Sequence, residues 1–349
     1  MGRLAPLLAP LLIVAAIAGA LLLLLTAGGH DVGVALEALG RGAFGSNYAF
    51  FSGTLVRSVP LILAGLAVAL AFRAGILNIG AEGQLLAGAG AAAAVGIVLG
   101  DRLGMLAVPA VLLAGMILGA AWAGIAAVLR SRFGVLEVIS TIMLNFVALY
   151  GVGWLVHGPL QEPSRIYPQS LPLPEVARLP MILPGTRLHL GFLLALVAAA
   201  VTWYALRHTA AGFRVLMTGA NADAARSAGR IRVARTMTGA FLASGALAGL
   251  AGASEVSGVT FALYENLSPG YGYTAIAVAL LARLEPWLVV PSGIMFGALE
   301  AGAAAMQRDA GVPASVVTVV EAAVILIVLA AGQMRALGVT AAAAVEAER

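Results

Sequence analysis

The sequence predicts an all-α fold: a polytopic helical membrane protein of about ten transmembrane helices, with the N and C termini cytoplasmic. Composition is the first reason. Of 349 residues, 61% are hydrophobic and 10% charged, with a mean hydropathy of +1.01, whereas a soluble domain is about a quarter charged. The second is recurrence of apolar stretches long enough to cross a hydrocarbon core of about 30 Å, which takes about 20 helical residues. The third is arginine placement, which sets the orientation, because basic residues near span ends stay on the cytoplasmic side.

In chain order the expected spans are 6–27, 55–72, 76–99, 105–129, 136–157, 188–206, 236–260, 271–284, 286–306 and 315–332. The first, with Arg3 ahead of Leu21 to Leu25, also suits a signal peptide; no A-x-A site stands out and the chain beyond it is itself apolar, so it is read as a span. The eighth is short enough to be re-entrant. This alternation puts thirteen of the 20 arginines inside, from Arg3 through Arg73, Arg130 and the run Arg207 to Arg235, and six outside. Residues 1–349 are expected to form a single transmembrane domain. Abundant glycine, 43 residues, lets helix backbones approach closely.

Two hydrophilic stretches interrupt the spans. The external one, 158–187, holds seven prolines from Pro159 to Pro184 and is expected to run as an extended loop. The cytoplasmic one, 207–235, carries six arginines and one acid, Asp223. Asn221 is placed to cap a helix, Asp223 suits its first turn, Ala224 and Ala225 favour it, and Gly229 closes it. Its arginines also attract anionic lipid. A faint internal echo, Ala67-Val68-Ala69-Leu70 before Arg73 and Ala277-Val278-Ala279-Leu280 before Arg283, hints at a parallel repeat.

Whole function classes fall by count. Every basic residue is arginine, so no Walker A lysine exists and the chain is not its own P-loop ATPase. Lysine Schiff-base chemistry falls with it, and zero cysteine removes thiolate nucleophiles and Cys-ligated metals. The four histidines are scattered, with no H-E-x-x-H pair and no G-x-S-x-G elbow. No metal, cofactor or nucleic acid is expected; the charge of +4 follows from topology.

Ionisable residues at membrane depth are costly and mark function or packing. Glu82, Glu137, Glu255, Glu300 and Glu321 lie within expected spans. Glu137, Thr141 and Asn145 recur every four residues on one helical face, and Asn78 and Glu82 lie one turn apart beside Gln84, where Gly80 and Gly83 invite an unwound turn. Both stripes suit either pathway lining or hydrogen-bonded helix packing; Glu255, Glu300 and Glu321 suit packing. Tyr271 and Tyr273 suit an outer interfacial belt.

Four motifs together, RAGILNIGAEGQLLAGA (Arg73 to Ala89), EVISTIMLN (Glu137 to Asn145), GANADAARSAG (Gly219 to Gly229) and LSPGYGYTAIAVALLA (Leu267 to Ala282), resemble the permease subunits of bacterial ABC importers for simple sugars and nucleosides, within the branched-chain amino acid and ribose permease superfamily. The form of the first two is similar to the larger permease of nucleoside importers. The resemblance implies a bacterial cytoplasmic membrane protein that pairs with a second permease, receives substrate from an external binding lipoprotein and is driven by a cytoplasmic ATPase. It implies that Asn221, Ala224, Ala225 and Gly229 form the segment coupled to that ATPase. Asn78, Glu82, Gln84, Glu137, Thr141 and Asn145 are then expected to line the substrate path. A sugar permease, or an ion-coupled carrier using Glu82 and Glu137, are the alternatives.

Overall fold

The computed structural model describes residues 15–16, 19–20, 22–227, 229, 231–313, 315–316, 318–319 and 322. Most of the expected first and last spans, both termini, Arg230 and Glu321 lie outside them. The described residues are helical, with β pairing limited to isolated bridges. Among the described residues, six apolar helical stretches are long enough to cross a membrane. One of them, Ala81–Phe133, has 53 residues, about 80 Å of helix and too long for one crossing. It breaks at Gly104, whose φ of 52° only glycine adopts easily, into two helices packed on one another.

The described chain forms two compact units. The smaller takes residues 1–50 and 298–349. It contains α1 (Val32–Phe44), which Asp31 caps by accepting the Val34 N–H at 3.0 Å. With 13 residues α1 is too short to read as a span, and the hydropathy pattern passed over it. Leu25, Ala35, Ala38, Met306 and Val312 make its core.

The larger unit, 51–297, carries α2 (Leu55–Arg73), α3 (Ala81–Leu103), α4 (Ala107–Phe133), α5 (Glu137–His157), α6 (Gly191–His208), α7 (Ala210–Ala220), α8 (Ala222–Ser227), α9 (Val233–Glu255), α10 (Tyr271–Leu281) and the first half of α11 (Pro286–Asp309). Its centre is α3, α4 and α9, whose backbones nearly touch. A Cβ on Gly249 of α9 would fall 2.9 Å from the Gly119 Cα of α4, and Gly88 of α3 abuts the same residue. Lipid gives no hydrophobic drive for helices to associate, so this close van der Waals contact is what holds the trio together.

Three departures from the hydropathy reading have local causes. The third span begins at Ala81 rather than 76, because Ala74 to Gly80 is unwound. The short eighth span is an 11-residue helix, α10, about 16 Å or half a crossing. In the hydrophilic stretch 207–235, α7 precedes the expected α8: Thr209 caps it through the Gly212 N–H at 3.0 Å, and Val215 reaches the core formed with Ala71, Ile76, Leu206 and Phe241.

Each end of this unit has its own character. The proline-rich segment at one end is irregular and clamped by backbone bonds, Ser170 N–H to Leu263 O at 2.9 Å and Leu173 N–H to Phe261 O at 2.7 Å. At the other end Trp203, Tyr204 and His208 of α6 cluster with Trp287 of α11, rings 5.1 to 6.1 Å apart. Such amphipathic rings are enriched at membrane–water boundaries.

Candidate functional site

Two helices of the larger unit start deep inside the bundle, and a helix start leaves N–H groups without partners. In water, solvent satisfies them; within an apolar bundle, side chains must. At the start of α3, Asn78 Oδ1 accepts the Gly80 N–H at 2.9 Å and Asn145 Oδ1, reaching across from α5, accepts the Gly83 N–H at 2.8 Å. At the start of α10, Ser268 Oγ accepts the N–H groups of Gly270 and Tyr271 at 3.1 and 3.0 Å. The two starts meet at Glu82, whose carboxylate accepts the Gly272 N–H at 2.7 Å. Both helix dipoles present their positive ends to that buried carboxylate.

The remaining polar atoms close on one another. Asn78 and Gln84 exchange amide bonds, both 3.0 Å, and Asn78 also donates to Ser244 at 2.9 Å, which donates to Ala67 O at 2.7 Å. Asn145 Nδ2 donates to Ile79 O at 3.0 Å and to the Tyr273 hydroxyl at 3.2 Å. Thr141 donates to the Glu137 carbonyl at 2.7 Å and packs against Gly80. Asn78, Glu82, Gln84, Thr141 and Asn145 are all buried. Glu137 stands apart at the start of α5, paired with Arg130 at 2.9 Å.

Tyr271 and Tyr273 are therefore not a belt at the outer edge: α10 begins against α3 and α5, with Tyr271 buried and Tyr273 bonded to Asn145. Periodicity missed Ser244, Ser268 and Gly272. A Cβ on Gly272 would collide with the Glu82 backbone, so this contact needs glycine. Nothing in the local sequence around Gly272 announces Glu82, 190 residues away.

A second polar region lies at the α7–α8 end. Asn221 Oδ1 accepts the N–H groups of Asp223 and Ala224 at 3.0 and 2.9 Å, the expected cap, and Gly229 has a φ of 71°. Ala225 is buried, while Asn221, Ala224 and Gly229 are exposed. Gly219, ending α7, lies directly against the Arg73 carbonyl and Gly75, at the head of the unwound stretch that leads to Asn78. Arg73 in turn bonds Leu284 O at 3.2 Å and pairs with Glu285 at 2.5 Å, which Arg207 also reaches at 3.2 Å. Partial burial pushes the Glu285 carboxyl up, but Arg73 and Arg207 outweigh it and hold it below the usual carboxylate value. The two echoed motifs thus end side by side, at the ends of α2 and α10.

Residues 50–329 match the family model described as branched-chain amino acid transport system / permease component. The chain belongs to this permease family. It is a multi-pass membrane protein and a transport subunit, the kind of chain that forms the path through the membrane in an ABC system. Among its relatives, the permease is 38% identical over 340 residues to the guanosine ABC transporter permease protein NupP of Bacillus subtilis, covering 95% of this chain and 96% of that one. It is 40% identical over 287 residues to the glucose ABC transporter permease protein TsgB13 of Haloferax volcanii, 79% of this chain and 74% of that one. It is 31% identical over 284 residues to the nucleoside ABC transporter permease protein NupB of Lactococcus lactis, 79% of this chain and 78% of that one. The buried joint and the α7–α8 end both lie within the part of this permease that the family model covers.

Proposed function

We propose that this permease is one of two membrane subunits of a bacterial nucleoside importer, located in the cytoplasmic membrane and powered by a separate ATPase. The observation that carries the substrate is the end-to-end similarity to a guanosine permease, over 95% of this chain. Bacillus subtilis has a second guanosine permease, NupQ, 28% identical to this chain over 251 residues, which supports a heterodimer. Substrate arrives from an external binding protein at the proline-rich end, and the ATPase docks at the α7–α8 end.

In this reading Asn221, Ala224, Ala225 and Gly229 form the surface that the ATPase moves. The displacement passes from Gly219 to Arg73 and Gly75, and so to the unwound segment carrying Asn78. Half-helix starts near the membrane midplane are where transporters place substrate. Asn78, Glu82, Gln84, Thr141 and Asn145 are engaged with protein in this conformation, so they join the path wall when α10 withdraws from α3. Tyr273, 42% exposed beside the joint, offers a ring face to a nucleobase. Glu137 contributes by fixing the start of α5 through Arg130.

A sugar substrate is the second reading, favoured by the 40% identity to the glucose permease. The test is isolation of the tagged chain from its native membrane in mild detergent, followed by uptake assays in proteoliposomes. Co-isolation of an ATPase and a second permease, with guanosine uptake requiring internal ATP, supports the proposal. Uptake of glucose but not guanosine selects the second reading. A lone chain whose transport collapses with the proton gradient overturns both.

A further inference from the structure

Two cavities open at the α7–α8 end, and their charge is handled differently. The smaller, about 220 Å³, is lined by Arg130 and Arg226 among others, and each of these has its own carboxylate, Glu137 at 2.9 Å and Asp223 at 2.8 Å. The larger, about 680 Å³, is lined by Arg214, Arg232 and Arg235, and among the described residues none of the three is paired with a carboxylate. Three like charges around one cavity repel one another, and an anion bound between them relieves that repulsion. The smaller cavity has already spent its charge within the chain; the larger keeps its charge for a ligand.

The rest of the larger cavity restricts what that ligand is. Beyond the arginines and Thr236 its wall is apolar or small, with Leu70, Leu206, Val215, Gly239, Ala240 and Ala243. Along α9 the lining runs from Arg232 to Ala243, about 16 Å of helix, charged at one end and apolar at the other. On the face of α9 that carries Arg235, Gly239 and Ala243 the groove is exposed at all three positions. Ala205 and Leu206, on its far wall, directly follow Trp203 and Tyr204, whose rings mark the membrane boundary. The arginines therefore lie at headgroup depth with the apolar trough below them. A soluble phosphate would use the arginines and leave the trough empty.

We propose that this cavity is a specific site for an anionic phospholipid, its phosphate held by Arg214, Arg232 and Arg235 and one acyl chain lying along α9 over Gly239 and Ala243. Guanidinium groups suit phosphate recognition through paired hydrogen bonds. The site rests on the reading that the α7–α8 end faces the cytoplasm, and so draws lipid from the inner leaflet. Its position between α7 and α9 makes the lipid a strut behind the surface that the ATPase moves.

The test uses the assembled transporter purified in mild detergent and examined by native mass spectrometry for retained phosphatidylglycerol. The site predicts one molecule retained per chain, with occupancy falling at least fivefold in R214Q/R232Q/R235Q and recovering only in part in R214K/R232K/R235K, which keeps the charge but not the paired hydrogen bonds. Arg132→Gln, at the same end but outside the cavity, should leave occupancy unchanged. Equal loss in Arg132→Gln, or full retention in the triple glutamine variant, overturns the site. Displacement of the lipid by millimolar inorganic phosphate, at undiminished trough accessibility, overturns it in favour of a soluble anion. Because the chain has no cysteine, Ala243→Cys is a unique thiol: a cross-link from it to the second permease instead of to a photoactivatable lipid also overturns the proposal. Phe213→Cys reports the orientation separately. Labelling of it from outside would remove the cytoplasmic assignment while leaving the occupancy result to judge the lipid site alone.

Discussion

The buried joint and the α7–α8 end are both islands of polarity in an apolar chain, and they meet the cost of that polarity in opposite ways. At the joint, Asn78, Gln84 and Ser244 bond one another, Asn78 and Asn145 accept N–H groups of the α3 start, Ser268 accepts those of the α10 start, and one carboxylate, Glu82, links the two starts. At the α7–α8 end, cations outnumber carboxylates: Glu285 serves both Arg73 and Arg207, while Arg214, Arg232 and Arg235 go unmatched among the described residues. A closed network resists change and fixes geometry; an open one is built to receive something. In the proposed mechanism the first region holds the broken helices until α10 withdraws, and the second receives partners.

The sharpest way to break this contrast is at the joint's closest contact. Gly272→Val drives a side chain into the Glu82 backbone and should cost about 3 kcal/mol or more, as overpacking against backbone does. A melting temperature matching wild type in detergent would mean that α10 does not rest on α3. Next in size is Glu82→Ala, which leaves the Gly272 N–H buried without a partner and should cost about 2 kcal/mol. Glu82→Gln keeps an acceptor there and should cost less than half as much by the same measure. Equal losses for the two variants would show that the carboxylate's charge, not its hydrogen bond, matters.

These contacts explain how far the sequence could be read. The bundle was legible because twenty-residue apolar runs have few other fates, and the Asn221 cap was legible because its partners lie two and three residues away. The grouping of Thr141 with Asn145 follows from helical spacing; the same spacing sets Asn78 one turn from Glu82, but the chain is unwound there and the Asn78 amide meets Gln84 instead. What spacing cannot give is a partner on another helix: Gly272 with Glu82, Ser244 with Asn78, Gly219 with Arg73. α1 escaped because 13 residues do not reach across a membrane, and α7 because its buried positions are Gly212, Val215 and Thr218 rather than an apolar run.

The smallest expected effect lies at the open end. Glu285→Gln removes a half-exposed pair and should cost under about 1 kcal/mol, less in high salt. Its pH dependence carries the sign. The folded carboxyl titrates below its ordinary value of 4.5, so its contribution is complete above that pH and fades as pH falls through the folded value. Thermal unfolding from neutral pH to below 4.5 should therefore bring wild type toward the variant. A gap that widens on acidification would reverse the assignment.

The claim that the α7–α8 end drives the joint is tested most directly at Asn221. Its N–H bonds Met217 O at 3.2 Å and its φ is −160°, so Asn221→Pro removes that bond and forces a different backbone, while the bundle core stays untouched. The measurement is guanosine uptake and ATP hydrolysis side by side, in proteoliposomes of the complete transporter carrying this variant at an unchanged melting temperature. If the α7–α8 end drives the joint, hydrolysis persists while uptake falls at least tenfold. Uptake coupled to hydrolysis at the wild-type ratio would contradict it.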